Sequence, residues 1–286
     1  LSADTLGLKS TALGNEALAT QNFTTATSSY NTAAGYRAGF AVTTAIRNTL
    51  IGGISGDALT TGARNTTLGY ATLSSDTLGS RTVAIGYEAL KVEDDGDHNT
   101  VVGYQALKNQ TGTTGTVGNT AMGFAAGESV LTGRFNTFIG GNSGETASGS
   151  AVDNNAALGY AALGKLNSGS RNTALGTAAG QLFQNASDIV AVGYYTLANA
   201  NTSTDIDGCV AVGSLSQAEN KTGIGNVSVG LSALQSNVNG DFNTAIGHES
   251  LKVVNGVSGQ QHNTAVGYQS GLAMTTGKYN VVVGSQ

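Results

Sequence analysis

Few side chains in this sequence could do chemistry, and their spacing decides what kind. Three histidines, His98, His248 and His262, could act as general bases or metal ligands. No serine, histidine and acid fall in an order that suggests a triad, and each histidine occupies a position that other residues fill elsewhere in the chain. The lone cysteine, Cys209, excludes an intrachain disulfide framework and a cysteine-rich metal site. "VEDDGDHN" places Asp94, Asp95 and Asp97 on a glycine turn, where hard oxygen ligands suit calcium, but the ligand spacing of an EF-hand is missing. A solvated acidic turn is the plainer reading. The most regular chemistry is cationic: Arg47, Arg64, Arg81 and His98 stand 17 residues apart. Such a row either meets an anionic surface or is neutralised by carboxylates, with Glu88 as the candidate for Arg81. No catalytic residue, metal site or cofactor site is expected.

That spacing belongs to the whole chain. "NTAVGYQSG" (263–271) has near-copies at 31–39, 99–107, 119–127 and 172–180. Counting from its glycine gives sixteen anchors: Gly14, Gly35, Gly52, Gly69, Gly86, Gly103, Gly123, Gly140, Gly159, Gly176, Gly193, Gly213, Gly230, Gly247, Gly267 and Gly284. Ten of the fifteen intervals are 17 residues, and the other five are 19, 20 or 21. The register survives over 1–286, which predicts a single repeat array without an internal domain boundary. Neither end offers a polar cap, so the array is read as a segment of a longer fibre.

A period of 17 with glycine turns is too short for a helical hairpin and suits short strands stacked about 4.8 Å apart. The expected fold is all-β, a parallel β-roll or β-solenoid of about sixteen 17-residue coils. An apolar residue precedes each anchor, Thr or Val usually stands two residues before that, and Ala is common between them. Alternation puts the outer two of these three on one face. That face is expected to fill the coil, leaving the alanine face for a neighbouring chain. Twelve of the sixteen motifs begin with Asn, whose amides can hydrogen-bond from coil to coil. Half the anchors are followed by an aromatic residue, read as a packed ladder rather than a platform for sugars.

Composition narrows the partners. Charged residues are 11 %, the net charge is −5, and 42 residues are Gly with no Pro or Trp. That profile leaves no basic field for nucleic acid. No run of 18 apolar residues exists, so no membrane insertion is expected of this segment.

"NTAVGYQSG", "NTAIGHESL" and "NTALGTAAG" resemble the "N-S/T-V/A-A-I/V-G" head repeats of YadA-like trimeric autotransporter adhesins. They are still closer to the "NTALGY-x-AL" repeats of bacteriophage tail fibres that end in an endosialidase-type intramolecular chaperone. The resemblance covers nearly the whole chain, although the YadA-like period is shorter and those heads lack the regular aromatic after glycine. It implies a left-handed roll, a homotrimer, and a place on a virion or an extracellular bacterial surface. A structural or adhesive fibre segment is the first reading, with a host glycan or protein as receptor, and an adhesin head is the alternative. An ice-binding solenoid is disfavoured because the threonine column alternates with valine as if buried. A polysaccharide depolymerase would have to gather carboxylates from separate coils. Five insertions, at 19–30, 108–118, 145–154, 198–208 and 252–262, fall at one phase of the repeat and are candidate contact loops.

Overall fold

A computed structural model describes residue 4 and residues 6–111, 115–146, 152–199, 206–254 and 259–286. The chain is an all-β parallel solenoid of about fifteen turns, with no helix among the described residues. Sixteen glycine anchors bound fifteen intervals, which accounts for one turn fewer than the expected sixteen coils. The chain packs as two units, Leu1–Thr137 and Phe138–Gln286.

Within each unit the three residues before an anchor form a strand that pairs in parallel with its counterpart one repeat on. In the first, Thr32–Ala34 pairs with Thr49–Ile51, so that Ala33 lies beside Leu50. In the second, Thr173–Leu175 pairs with Val190–Val192, so that Ala174 lies beside Ala191. Longer spacings leave this register intact: Val190–Val192 pairs with Val210–Val212 across a 20-residue interval. The extra residues are absorbed in the connections, and those at 27–28, 115–116 and 259–260 rejoin through two-residue parallel pairings.

The strand faces are the reverse of the sequence expectation. The middle residue is the buried one, as at Ala33, Leu50, Thr67, Ala84, Val101, Ala174, Ala191, Ala211, Ser228 and Ala245. Thr or Val before it and the aliphatic residue after it point outward, so that Thr66–Leu68 and Thr173–Leu175 are each buried only at their centre. A 17-residue coil is thin, and its interior is already occupied from the opposite wall. The residue three past each anchor from Gly14 to Gly267 is buried Ala, Ser or Thr, as at Ala89, Ser143 and Thr196, and the next is buried Leu in eight coils.

Leu or Gly fills that next position in all coils but the one with Gln217, and at two of the glycines packing gives the reason. Leu90, Leu107, Leu163 and Leu197 have φ of 45–51°, so the backbone tolerates a side chain there. At Gly56 and Gly144 the strand of the same coil brings a large residue, Leu50 or Phe138, inward. A β-carbon at Gly56 would lie 2.9 Å from Leu50 Cδ2, and one at Gly144 would lie 2.5 Å from Phe138 Cδ1. Volume is exchanged between the two walls, as a close-packed interior requires. The anchors themselves must be glycine for two reasons. Gly230 has φ of 134°, and a β-carbon there would sit 2.6 Å from the Gly247 carbonyl oxygen of the next coil.

The asparagines form an interior ladder. Asn48 N–H donates to Asn31 Oδ1 (2.9 Å), and Asn48 Nδ2 donates to the Gly62 carbonyl (2.8 Å). Asn65 repeats both bonds onto Asn48 and the Gly79 carbonyl, at 2.8 Å each. In the second unit Asn172 N–H donates to Asn155 Oδ1 and Asn172 Nδ2 to the Ala186 carbonyl. Each buried amide therefore joins two coils, chiefly through backbone partners rather than amide to amide, and satisfies groups that would be costly to leave unpaired. Thr82 takes an asparagine position and shows the cost: its Oγ1 and Asn99 Nδ2 have no partner.

Candidate functional site

The outward strand face carries an aliphatic column and a threonine and valine column, flanked by an aromatic column past the anchors and a cationic column before the strands. The aliphatic column is exposed in the single chain: Leu68, Met122, Leu158, Leu175 and Ile246 are all more than two-fifths accessible. The threonine and valine column shares this face, so the reason given for disfavouring an ice-facing array, a buried threonine column, does not hold.

Past the anchors stands the aromatic column. Tyr70, Tyr87, Tyr104 and Phe124 stack in sequence with ring centroids 5.6, 5.3 and 5.5 Å apart and planes within 17° of parallel. Neighbouring rings cover each other's faces, so a sugar could meet little but their edges.

Before the strands stands the cationic column. Arg47, Arg64, Arg81 and His98 occupy successive coils, each donating its backbone N–H to a carbonyl of the coil before: Ser29, Ile46, Ala63 and Ser80. All four are exposed and all have positive φ, from 59 to 66°. Two residues not singled out from the sequence extend the column. Lys9 and Tyr30 stand five before Gly14 and Gly35, the same spacing that identifies the arginines. Lys9 Nζ donates to Tyr30 Oη at 3.0 Å. That bond, with the field of Arg47 behind it, lowers the Tyr30 phenol below its ordinary range.

The expected pairing of Arg81 with Glu88 is not made. The three-residue strand separates them, and Glu88 instead accepts from Lys91 (2.7 Å), Lys108 (2.9 Å) and Gln105 (3.0 Å). Those donors, Lys91 foremost, hold its carboxyl down to about 2. The same device recurs at Glu249 with Lys252 and Gln269. Arg81 reaches Asp97 Oδ2 at 3.8 Å, while Asp97 Oδ1 accepts from Ser80 N–H. In the second unit Arg171 is fully paired: Nε and Nη2 meet both oxygens of Asp188, one coil on, at 2.6 and 2.8 Å.

The remaining candidates have structural surroundings. His262 is stacked between Phe242 and Tyr279, at 5.2 and 5.4 Å, and His248 stacks on Tyr268 at 5.3 Å. Cys209 takes an asparagine position, where its buried Sγ donates to the Gly223 carbonyl at 3.3 Å. Burial pushes the thiol up to about 11, which leaves little thiolate for nucleophilic attack. In the acidic turn Asp95 accepts from Thr77 Oγ1, and Asp97 is engaged as above. Among the described residues no three His, Cys, Asp or Glu side chains converge as a metal site would need. The insertions are only partly visible: 112–114, 147–151, 200–205 and 255–258 lie outside the described residues.

Two buried carboxyls, Asp76 and Glu93, were missed. They stand seven past Gly69 and Gly86, inside successive coils at a position that holds Val42 and Leu59 in the coils before. Glu93 accepts from Gly96 and Asp94 N–H and from Gln110 Nε2. Asp76 Oδ1 accepts from Gly79 N–H at 2.6 Å, but its Oδ2 has no partner.

Compared with family models, curated sequences and solved structures, the chain matches none, so any functional reading rests on its own residues.

Proposed function

We propose that the chain is a structural and adhesive segment of a homotrimeric fibre, of the phage tail-fibre kind suggested by its "NTALGY"-like repeats. The observation that carries this reading is the outward aliphatic column. In each unit a row of aliphatic side chains faces solvent at regular intervals, and in the first it runs beside a stacked aromatic row. Apolar surface laid out this way is what copies of the same chain would cover in register. Burying a Leu-sized side chain contributes roughly 1.5–3 kcal/mol, multiplied over many coils. Function then follows from shape: repeated close packing makes a stiff spacer, and identical weak contacts along it add through avidity. The head of a bacterial trimeric adhesin uses the same surface and is the alternative. A genome neighbourhood of tail genes separates the first reading from the second. No catalytic role is proposed.

The test is the mass of the particle in solution. The wild-type chain is expected at three times the chain mass. Leu68→Lys with Leu175→Lys is expected to shift the particle toward single chains while the β-type circular dichroism spectrum persists. A wild-type particle at the single-chain mass would overturn the trimeric reading.

The exposed threonines keep a second reading open to measurement. Leucine, isoleucine and valine interrupt them on the same face, so no thermal hysteresis is expected at protein concentrations where ice-binding solenoids act. Measurable hysteresis would move ice to first place.

A further inference from the structure

We infer that the column of Arg47, Arg64 and Arg81 is a binding strip for a linear acidic polysaccharide, one whose sulfate or carboxylate groups recur at close intervals. The inference deepens the receptor-binding part of the proposed function and rests on it.

The first support is that the same column solves its charge problem differently in the two units. In the second unit Arg171 faces Asp188 on the following coil, and the two neutralise each other through paired hydrogen bonds. In the first, three arginines follow one another on coils about 4.8 Å apart. Among the described residues, no carboxylate lies within 4.0 Å of Arg47 or Arg64, and Arg81 has only the 3.8 Å approach of Asp97. Like charges at that spacing repel one another. Lys9 continues the row at one end and His98 at the other.

The second support is conformational. The column position is a left-handed corner that glycine fills without strain, as Gly118, Gly208 and Gly225 do with φ of 61–70°. Three successive coils nevertheless put there the residue with the largest planar cation, at φ of 59–63°. Guanidinium groups suit sulfate and carboxylate through paired donors.

The neutralising anion must come from outside the fibre. No column of the repeat carries carboxylates on three successive coils, so a second copy in register has no matching acidic row. A nucleic acid fits poorly, because the nearby aromatic faces that could stack on its bases are covered by one another. A linear polysaccharide needs only the row of charges.

The experiment uses the assembled wild-type protein with three probes: a heparin octasaccharide, polygalacturonate and neutral dextran. Binding to the first, the second or both is expected, with affinity falling as salt rises, and none to dextran. Which of the two binds identifies sulfate or carboxylate as the recognised group. Arg47→Gln, Arg64→Gln and Arg81→Gln together should weaken that binding on the order of tenfold or more. Arg171→Gln should leave it unchanged. Gln105 and Gln269 already adopt the required φ in this chain, so the variants should keep their melting temperatures. No binding of either polyanion by the wild type, or equal binding by the triple variant, overturns the inference. So does a change of particle mass in the triple variant, which would make the column a subunit contact. If the wild type proves to be a single chain and the triple variant still loses binding, the strip stands and the trimeric reading alone falls.

Discussion

Gly144→Leu alone is expected to destabilise its coil by about 3 kcal/mol, and Phe138→Ala alone by about as much, yet the two together should nearly cancel. Phe138 is fully buried at the centre of its strand, and the glycine leaves room for its ring. The backbone is not the obstacle, because Leu163 and Leu197 occupy the equivalent corner at φ of 50°. The obstacle is the ring itself, which a leucine β-carbon would overlap. The double variant restores an arrangement the chain already uses, with alanine on the strand and leucine at the corner, as in Ala84 with Leu90 and Ala191 with Leu197. Urea midpoints of the four proteins make a double-mutant cycle. Additive losses would mean that the two positions do not share one volume, and the packing account of Gly144 would fall.

The repeat, the strands and their parallel stacking were legible in the sequence because the glycine anchor survives every insertion. The direction of each face was not. Alternation shows which residues share a face but not whether that face looks inward. Taking aliphatic residues as core put Leu68 and Leu175 inside, where the structure has Thr67 and Ala174. The asparagine held the missing signal. It is two residues before the strand centre, so it shares a face with Ala174 rather than with Leu175. An amide ladder that bonds one coil to the next is best placed in the interior, where its bonds face no competition from water. Asn172 therefore fixes the face that Leu175 misleads on. The cationic column was legible from spacing, and Lys9 and Tyr30 would have joined it had the count been carried to the first coils. The partner of Arg81 was not legible, because sequence proximity to Glu88 hides the strand that separates them. Asp76 and Glu93 were hidden for a similar reason: their corner is apolar elsewhere, and nothing local in "SSDTLG" or "KVEDDG" says that the acid points inward.

Asp76 carries the second large expectation. The chain holds its own control, because the equivalent position is asparagine in two coils of the second unit. Asn220 accepts from Gly223 N–H (2.8 Å) and donates Nδ2 to the Gly223 carbonyl (2.9 Å). Asn237 does the same with Gly240, at 3.0 and 2.9 Å. Asp76 makes the first of these bonds with Gly79 and has no proton on Oδ2 for the second unless its carboxyl is neutral. Burial, with Glu93 and Asp95 nearby on the next coil, pushes that carboxyl up to about 8. The folded state therefore holds a proton that the unfolded state has released above about pH 4. Its contribution to stability is complete below that value and is lost as the pH rises toward 8, by about 1.4 kcal/mol per unit within the window. Glu93, also raised by burial, adds to the trend with the same sign. Asp76→Asn supplies the missing donor permanently. The variant should be more stable than wild type at pH 8 by several kcal/mol, and its stability should depend much less on pH between 5 and 8. Urea unfolding at pH 5, 6.5 and 8 measures both. An equal slope in the two proteins, or a variant weaker at pH 8, would show that Asp76 is ionised and accommodated without its proton.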